Sequence, residues 1–164
     1  MDLGDRLHQT AAHALMPGEQ VVSFTTCEPA RGSARRTAGF LLGGLSGALI
    51  AKGLTDPTHA LGGTELPHDL ALVLTDRRVL VVALSAVSGR PSYLVTYVPL
   101  IHLRGVSVEE VRSGRVRFTL WNADGSRLAL ETSGRRASRR AESFCARLAE
   151  AGGGAPPPGP GPGS

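Results

Sequence analysis

Aromatic residues, lysine and cysteine are all scarce in this chain of 164 residues. Aromatic side chains make up 4% of the sequence, so aliphatic residues must build the core. Lys52 is the single lysine, and arginine therefore supplies nearly all of the positive charge. Cys27 and Cys145, the two cysteines, form neither a CxxC pair nor a zinc-type spacing. We therefore expect two buried free thiols in a reducing cytoplasm.

The usual signatures of catalysis are also missing. The five histidines show no metal-ligand spacing. The glycine run around Ser46 does not form a nucleophile elbow, because Ala48 stands where the second glycine belongs. It does not form a phosphate loop either, since Lys52 precedes Gly53 instead of following a glycine. The sequence therefore predicts a protein that is not an enzyme, with no catalytic residue, no metal and no cofactor.

The net charge of +4 and the pI of about 9.8 permit contact with nucleic acid or with an anionic membrane surface. Several arginines of the C-terminal segment could neutralise phosphates, but no aromatic stacking set or groove-reading motif accompanies them. Nucleic acid is therefore disfavoured as a partner. The N-terminus lacks a basic region followed by an apolar run, so no secretory signal is predicted and a cytoplasmic location is expected.

The composition divides the chain into three parts. Residues 1–17 have apolar side chains at helical spacing and are predicted to form a short amphipathic helix. Residues 18–151 have the length and apolar content of one domain. Residues 152–164 are GGGAPPPGPGPGS and cannot bury enough surface to offset the entropy of ordering. We expect this last part to be a disordered proline- and glycine-rich tail.

Seven short runs rich in aliphatic, aromatic and threonine residues are predicted to be strands. Residues 70–74 and 79–84 are almost entirely apolar, which predicts strands covered on both faces, with a tight turn between them. Seven strands with hairpin connections favour an antiparallel sandwich or open barrel, so the fold class is mainly β. The predicted strands are Glu19–Glu28, Leu70–Leu74, Val79–Leu84, Tyr93–Val98, His102–Val111, Arg115–Trp121 and Arg127–Glu131.

The last two strands allow the register of a hairpin to be predicted. Residues opposite each other in an antiparallel pair point to the same face. A two-residue turn would put the apolar residues of the two strands on different faces. A three-residue loop at 123–125 instead pairs Leu120 with Leu128 and, on the outer face, Arg117 with Glu131. The apolar pattern therefore selects the longer loop.

The segment from Ser133 to Ala151 is predicted to be a C-terminal amphipathic helix. Its arginines occupy the polar faces. We expect it to seal the open mouth of the barrel through Phe144 and Leu148, because an uncovered sheet edge is prone to association. The predicted apolar stripe contains Ala137, Ala141, Phe144, Cys145 and Leu148.

Three sequence segments resemble bacterial pleckstrin-homology-like (PH-like or GRAM-like) domains. Leu70 to Leu84, LALVLTDRRVLVVAL, resembles the second and third strands of such domains. The runs VPLIHLRGVSVE and RVRFTLWNADGSRLALET, followed by a closing helix, resemble the later strands. The resemblance implies a seven-strand partial barrel capped by a C-terminal helix, and a non-enzymatic binding role. Eukaryotic relatives often bind phosphoinositides or peptides, and the phosphoinositide-binding members carry lysines and arginines in the first hairpin. Here Arg31, Arg35 and Arg36 occupy that connection.

An apolar insertion at residues 35–62 interrupts the resemblance. Residues 38–51, AGFLLGGLSGALIA, carry no charge. Gly39, Gly43 and Gly47 are spaced four apart, so on a helix they form one stripe that lets another backbone approach closely. The apolar residues that could contact a membrane or a partner are Phe40, Leu41, Leu45 and Leu49.

Three interpretations of this insertion stay open. A transmembrane span is disfavoured, because a span needs about 20 apolar residues. Shallow membrane insertion or self-association is the second, with Arg35, Arg36 and Lys52 facing anionic headgroups. Packing on the domain's own sheet is the third.

The sequence therefore favours a PH-like binding module, peripheral to the inner membrane face, with Arg31 joining the flanking cations. The alternative is a protein–protein scaffold or homo-oligomer without a lipid role.

Overall fold

A computed structural model describes residues 3–30, 67–111, 114–123 and 127–152. It confirms the predicted order of a short N-terminal helix, seven strands and a C-terminal helix. The helices are α1 (Leu3–Ala12) and α2 (Arg135–Gly152), and a 3-10 turn (Leu100–His102) follows the fourth strand. The strands are β1 (Val21–Pro29), β2 (Leu70–Thr75), β3 (Arg78–Leu84), β4 (Pro91–Pro99), β5 (Leu103–Val111), β6 (Arg115–Asn122) and β7 (Arg127–Ser133).

The seven strands form one antiparallel sheet in the order β4-β3-β2-β1-β7-β6-β5. Strand β1 joins the two halves of this sheet. Its residues Val21 to Cys27 pair with β2, whereas Glu28 and Pro29 pair with β7. The edge strands β4 and β5 do not pair with each other, so the sheet stays open, as predicted.

The β2–β3 hairpin is present as predicted from its apolar pattern. Leu74 pairs with Val79, which leaves Asp76 and Arg77 as the turn. Both strands are buried over nearly their whole length, so the prediction that each is covered on both faces is confirmed.

The N-terminal helix covers one face of these two strands. Leu7 and Ala11 of α1 are buried against a layer of residues from β2, β3 and β4. This layer includes Val73, Leu80 and Tyr97. The helix forms because its apolar residues recur at helical spacing, and its apolar side packs on the sheet through that layer. The sequence predicted the helix but not its position.

The C-terminal helix covers the other side of the sheet. Phe144 is 0% exposed, Leu148 is also buried, and the Phe144 ring lies 6.5 Å from that of Phe118 with an interplanar angle of 49°. The prediction that α2 seals the barrel through Phe144 and Leu148 is confirmed. One detail of the stripe differs, since Ala137 is half-buried and Ser138 is buried instead.

The first turn of α2 explains the difference. The hydroxyl of Ser138 donates a hydrogen bond of 2.5 Å to the carbonyl oxygen of Gly114, the residue before β6. It also lies 3.4 Å from the Thr132 hydroxyl. A buried serine is tolerated there because its polar atom has partners, which the apolar pattern alone cannot reveal.

The predicted register of the β6–β7 hairpin is confirmed. Leu120 pairs with Leu128, and Arg117 pairs with Glu131. The Arg117 Nη2 atom lies 3.3 Å from the Glu131 Oε2 atom. Residues 124–126, which include most of the predicted loop, lie outside the described residues.

Candidate functional site

All the contact residues predicted from the sequence lie in the connection between β1 and β2, at residues 31–66, outside the part that the structure describes. They remain predictions. The cations are Arg31, Arg35, Arg36 and Lys52, the apolar contacts are Phe40, Leu41, Leu45 and Leu49, and the glycine stripe is Gly39, Gly43 and Gly47. The described chain leaves β1 at Ala30 and returns at Pro67, so the structure fixes the place from which the connection departs.

That place is one end of the β1–β4 half of the sheet. Cys27 pairs with Leu70, and Leu84 pairs with Pro91. The Leu84 N–H also donates to the Asp69 carbonyl oxygen at 2.9 Å. We call this region the loop end, and define it as residues 27–30, 67–70 and 84–91. It brings the β3–β4 loop next to both termini of the β1–β2 connection.

The β3–β4 loop at this end is held by its own hydrogen bonds. The Ser85 N–H donates to the Arg90 carbonyl oxygen at 2.8 Å, and the Gly89 N–H donates to the Ser85 carbonyl oxygen at 2.7 Å. Gly89 has a φ of 61°, a left-handed conformation that glycine adopts without strain. At the tip of this ordered loop, Val87 is 98% exposed. A fully exposed aliphatic side chain on an ordered loop is available for an apolar contact outside the domain.

Two amphipathic residues follow Val87 in the chain. Arg90 is exposed at the end of the loop, and Tyr93 is 43% exposed in the first part of β4. Tyrosine and arginine both combine an apolar body with a polar end, which suits an interface between apolar and aqueous phases. The loop end and the adjoining first part of β4 therefore present an aliphatic, a cationic and an aromatic side chain close together in sequence.

The inner part of the loop end is acidic. A recess of about 270 Å³ is lined by Glu28, Asp69 and Glu131, among others. The His68 Nδ1 atom lies 3.6 Å from the Glu28 Oε2 atom and 3.6 Å from the Asp69 Oδ1 atom. We call this the acidic recess. Its carboxylates disfavour anions in the inner part of the loop end.

The TDRR motif that supported the resemblance has a structural role. Glu19 accepts hydrogen bonds of 2.9 Å from both Nε and Nη2 of Arg78 and one of 2.6 Å from the Thr75 hydroxyl. Arg78 also donates to the Ala14 carbonyl oxygen at 2.5 Å and stacks on the Tyr97 ring, 4.5 Å from its centroid. Arg78 is buried, so it fastens the segment after α1 to the sheet and is not available to a ligand.

The Glu19 carboxylate is ionised in this network. Burial raises its pKa, but the hydrogen bonds from Arg78, from the Met16 N–H and from the Thr75 hydroxyl, together with the Arg78 charge, lower the pKa below its usual value. The next motif residue, Asp76, accepts a hydrogen bond of 3.0 Å from the Gln20 N–H. The motif therefore holds the segment before β1 at several points.

Both cysteines are free and buried in the core, as predicted. Burial raises the pKa of both thiols, that of Cys145 to about 12. Such thiols stay protonated at neutral pH and are poor nucleophiles. Within residues 3–30, 67–111, 114–123 and 127–152, no group of three histidine, cysteine or acidic side chains is arranged to hold a metal ion. In the same ranges, no helix is long and apolar enough to cross a bilayer.

The sequence did not indicate Val87, Arg90 or Tyr93 as contact residues. One signal was present, since Val87 is the apolar residue of a loop otherwise made of small, polar and basic residues, SAVSGR. Its exposure became evident only when the strand register placed the loop tip beyond Leu84 and Pro91.

Comparison with solved structures finds several of similar length. A DUF1696 family protein with a pleckstrin-homology domain from Shewanella loihica has a TM-score of 0.49 at 14% identity, covering 93% of this chain and 94% of that one. A pleckstrin homology domain from Shewanella amazonensis has a TM-score of 0.47 at 16% identity, covering 91% and 99%. The hSac2 domain of the human phosphoinositide phosphatase Sac2 has a TM-score of 0.46 at 11% identity, covering 93% and 83%.

No family model matches the sequence, and no curated protein does. The fold itself is PH-like, as the sequence resemblance implied. Seven antiparallel strands form an open, curled sheet, and a C-terminal helix covers its mouth. A fold of this kind does not by itself fix a function, which depends on the surface residues.

Proposed function

We propose that the chain is a non-enzymatic binding module whose loop end contacts an anionic membrane surface. The observation that carries this proposal is the position of Val87. It is 98% exposed at the tip of a hydrogen-bonded loop, at the end of the sheet where the apolar β1–β2 connection leaves and returns. Two apolar elements therefore emerge at the same end of the domain.

Charge and apolar contact have separate roles in this proposal. Arg31, Arg35, Arg36 and Lys52 supply positive charge, each contributing about 1 kcal/mol near an anionic surface. Val87 and the apolar residues of 38–51 enter the boundary between headgroups and acyl chains, at about 0.8 kcal/mol for each buried methylene. The acidic recess opposes binding, so the cations of the connection are required. The anionic cytoplasmic leaflet is the membrane face that fits.

Vesicle co-sedimentation tests the proposal with a matched pair of variants. Val87→Asp places a charge at the loop end, whereas Ile101→Asp places one at the opposite end of the sheet, where Ile101 is 86% exposed. Both sites are on the surface, so neither change disturbs the core. We expect the full chain to sediment with anionic vesicles, and Val87→Asp to weaken this binding about tenfold while Ile101→Asp leaves it unchanged.

A second pair of measurements separates charge from apolar contact. Replacing Arg35 and Arg36 together by glutamate is expected to abolish binding to anionic vesicles, and raising the salt concentration is expected to weaken wild-type binding. Deleting residues 153–164, which we propose to be an uninvolved tail, is expected to change nothing. Absence of binding to anionic vesicles, or equal loss in the Val87→Asp and Ile101→Asp variants, overturns the proposal.

A protein–protein scaffold or homo-oligomer is the second candidate, and the open sheet edges favour it. Strand β5 is an edge strand, and its Val108 is 50% exposed. Unpaired strand edges can pair with another chain. Light scattering across a range of protein concentrations distinguishes the two candidates, since a scaffold of this kind forms dimers at its edges without lipid.

A further inference from the structure

Strand β1 has an edge that pairs with no other strand in the described part of the chain. Val21 to Cys27 pair with β2 on one side, but β7 reaches only Glu28 and Pro29 on the other. The Ala30 N–H donates to the Ala129 carbonyl oxygen at 3.0 Å, on the β7 side. Backbone groups alternate along a strand, so Thr26 and Phe24 direct their N–H and C=O groups toward this same side.

A groove follows this open edge. It has a volume of about 330 Å³ and lies between the first half of β1 and helix α2. Residues 21–24 line it and span roughly 13 Å at the usual rise of a strand. Val22, which is exposed, offers an apolar contact within it. We call this the β1–α2 groove. It lies at the opposite end of β1 from the loop end.

The helical wall of the groove is positively charged. Arg140 and Arg147 both line it, seven residues apart and therefore on one side of α2. The Arg140 guanidinium stacks on the Phe24 ring, 5.3 Å from its centroid, which holds that cation beside the strand edge. Neither arginine is paired with a carboxylate of the described residues. Exposed His8 of α1 adds a third basic side chain.

We propose that the β1–α2 groove binds an extended acidic peptide segment of a partner protein, which adds to the open edge of β1 as a further strand. The Phe24 backbone, which lines the groove, supplies strand hydrogen bonds: its N–H donates to an extended peptide and its C=O accepts from it. Acidic side chains at alternate positions of the peptide then face Arg140 and Arg147. The strand edge favours a polypeptide over other anions, and the cationic wall favours an acidic one.

This proposal does not depend on membrane binding, because the groove and the loop end lie at different places on β1. A vesicle surface is too flat to enter a groove between a strand and a helix. Peptide binding and vesicle binding can therefore each fail without affecting the other.

Fluorescence anisotropy with three labelled peptides of about eight residues tests the proposal on the full chain. The first alternates glutamate with valine, the second alternates lysine with valine, and the third alternates glutamate with proline. We expect only the first to bind, because lysine is repelled by the arginines and proline cannot complete strand hydrogen bonds. Equal binding of the glutamate–proline peptide, or full displacement by inorganic phosphate at equal charge, overturns the proposal in favour of a simple anion site.

Two surface variants locate the binding. Arg147→Glu reverses a charge in the groove, whereas Arg139→Glu makes the same change at an exposed position that does not line it. We expect Arg147→Glu to weaken peptide binding about tenfold or more and Arg139→Glu to leave it unchanged. Amide hydrogen exchange at Phe24 is expected to slow when the peptide binds. Equal effects of the two variants, or unchanged exchange at the Phe24 amide, contradict the proposal.

Discussion

Glu19 and Arg78, 59 residues apart in the chain, form a bidentate ion pair in which Nε and Nη2 of Arg78 each lie 2.9 Å from a carboxylate oxygen. The Glu19 side chain is fully buried and that of Arg78 nearly so. The pair connects the segment after α1 to the β2–β3 hairpin. Together with the apolar packing of α1, this ion pair therefore holds the N-terminal part of the chain on the sheet.

Replacing Arg78 by methionine is expected to destabilise the protein by about 3–5 kcal/mol, because it leaves the Glu19 charge buried without its partner. The free energy of unfolding in urea measures the effect. Arg77→Met is the matched control, since Arg77 is exposed and should change stability by less than about 0.5 kcal/mol. Combining Arg78→Met with Glu19→Leu should restore part of the loss, so a double variant as unstable as the sum of the single ones would contradict the ion-pair account.

The same pair predicts how stability depends on pH. The pKa of Glu19 is lower in the folded protein than in the unfolded chain, so the folded state holds this proton less tightly. Its contribution to stability is present above the unfolded value of about 4.3 and is lost as the pH falls through the folded value. Urea unfolding measured between pH 3 and pH 7 should therefore show that the unfolding free energy falls less on acidification in Glu19→Gln than in the wild type. If the unfolding free energy had the same slope against pH in both proteins, Glu19 would not be the group responsible for the loss of stability in acid.

The buried thiols are expected to be inert in the folded protein. Their raised pKa values keep Cys27 and Cys145 protonated at pH 8, and both lie in the core. A chromogenic disulfide reagent should detect neither thiol in the native protein and both in urea. Ser92→Cys, at an exposed position of β4, is the positive control and should react at once. Rapid reaction of the native wild type would contradict the packing of α2 on β1.

The seal formed by α2 can be tested at Phe144. Phe144→Ala removes a fully buried ring that lies near Phe118, and should cost about 3–5 kcal/mol of unfolding free energy. Arg136→Ala on an exposed face of the same helix should change it by less than about 0.5 kcal/mol. Similar small losses in both variants would mean that the helix does not close the barrel.

Much of the β architecture could be predicted because local patterns decide it. The apolar alternation in β6 and β7 permits one register, and that register pairs Leu120 with Leu128. The continuous apolar runs of β2 and β3 indicate strands covered on both faces, and the short polar stretch between them indicates a hairpin. Each of these patterns involves only residues that are close in the sequence or that face each other within one hairpin.

The remaining features depend on contacts between distant segments. Nothing near Glu19 in the sequence indicates that Arg78 will bury it. The β1–α2 groove exists because β7 pairs with only the last residues of β1, which leaves Phe24 to stack with Arg140. The exposure of Val87 likewise depends on where two strands end. The predicted contact residues of 31–66 lie outside the described residues and stay predictions.

A polarity-sensitive fluorophore attached at the tip of the β3–β4 loop tests membrane contact most directly. Because the native thiols are buried, Val87→Cys and Ile101→Cys can each be labelled at a single exposed position. With anionic vesicles, emission from the label at position 87 should shift to the blue and brighten, while the label at position 101 should not respond. Equal responses at the two positions, or no response at position 87, would contradict the proposal that the loop end meets the membrane.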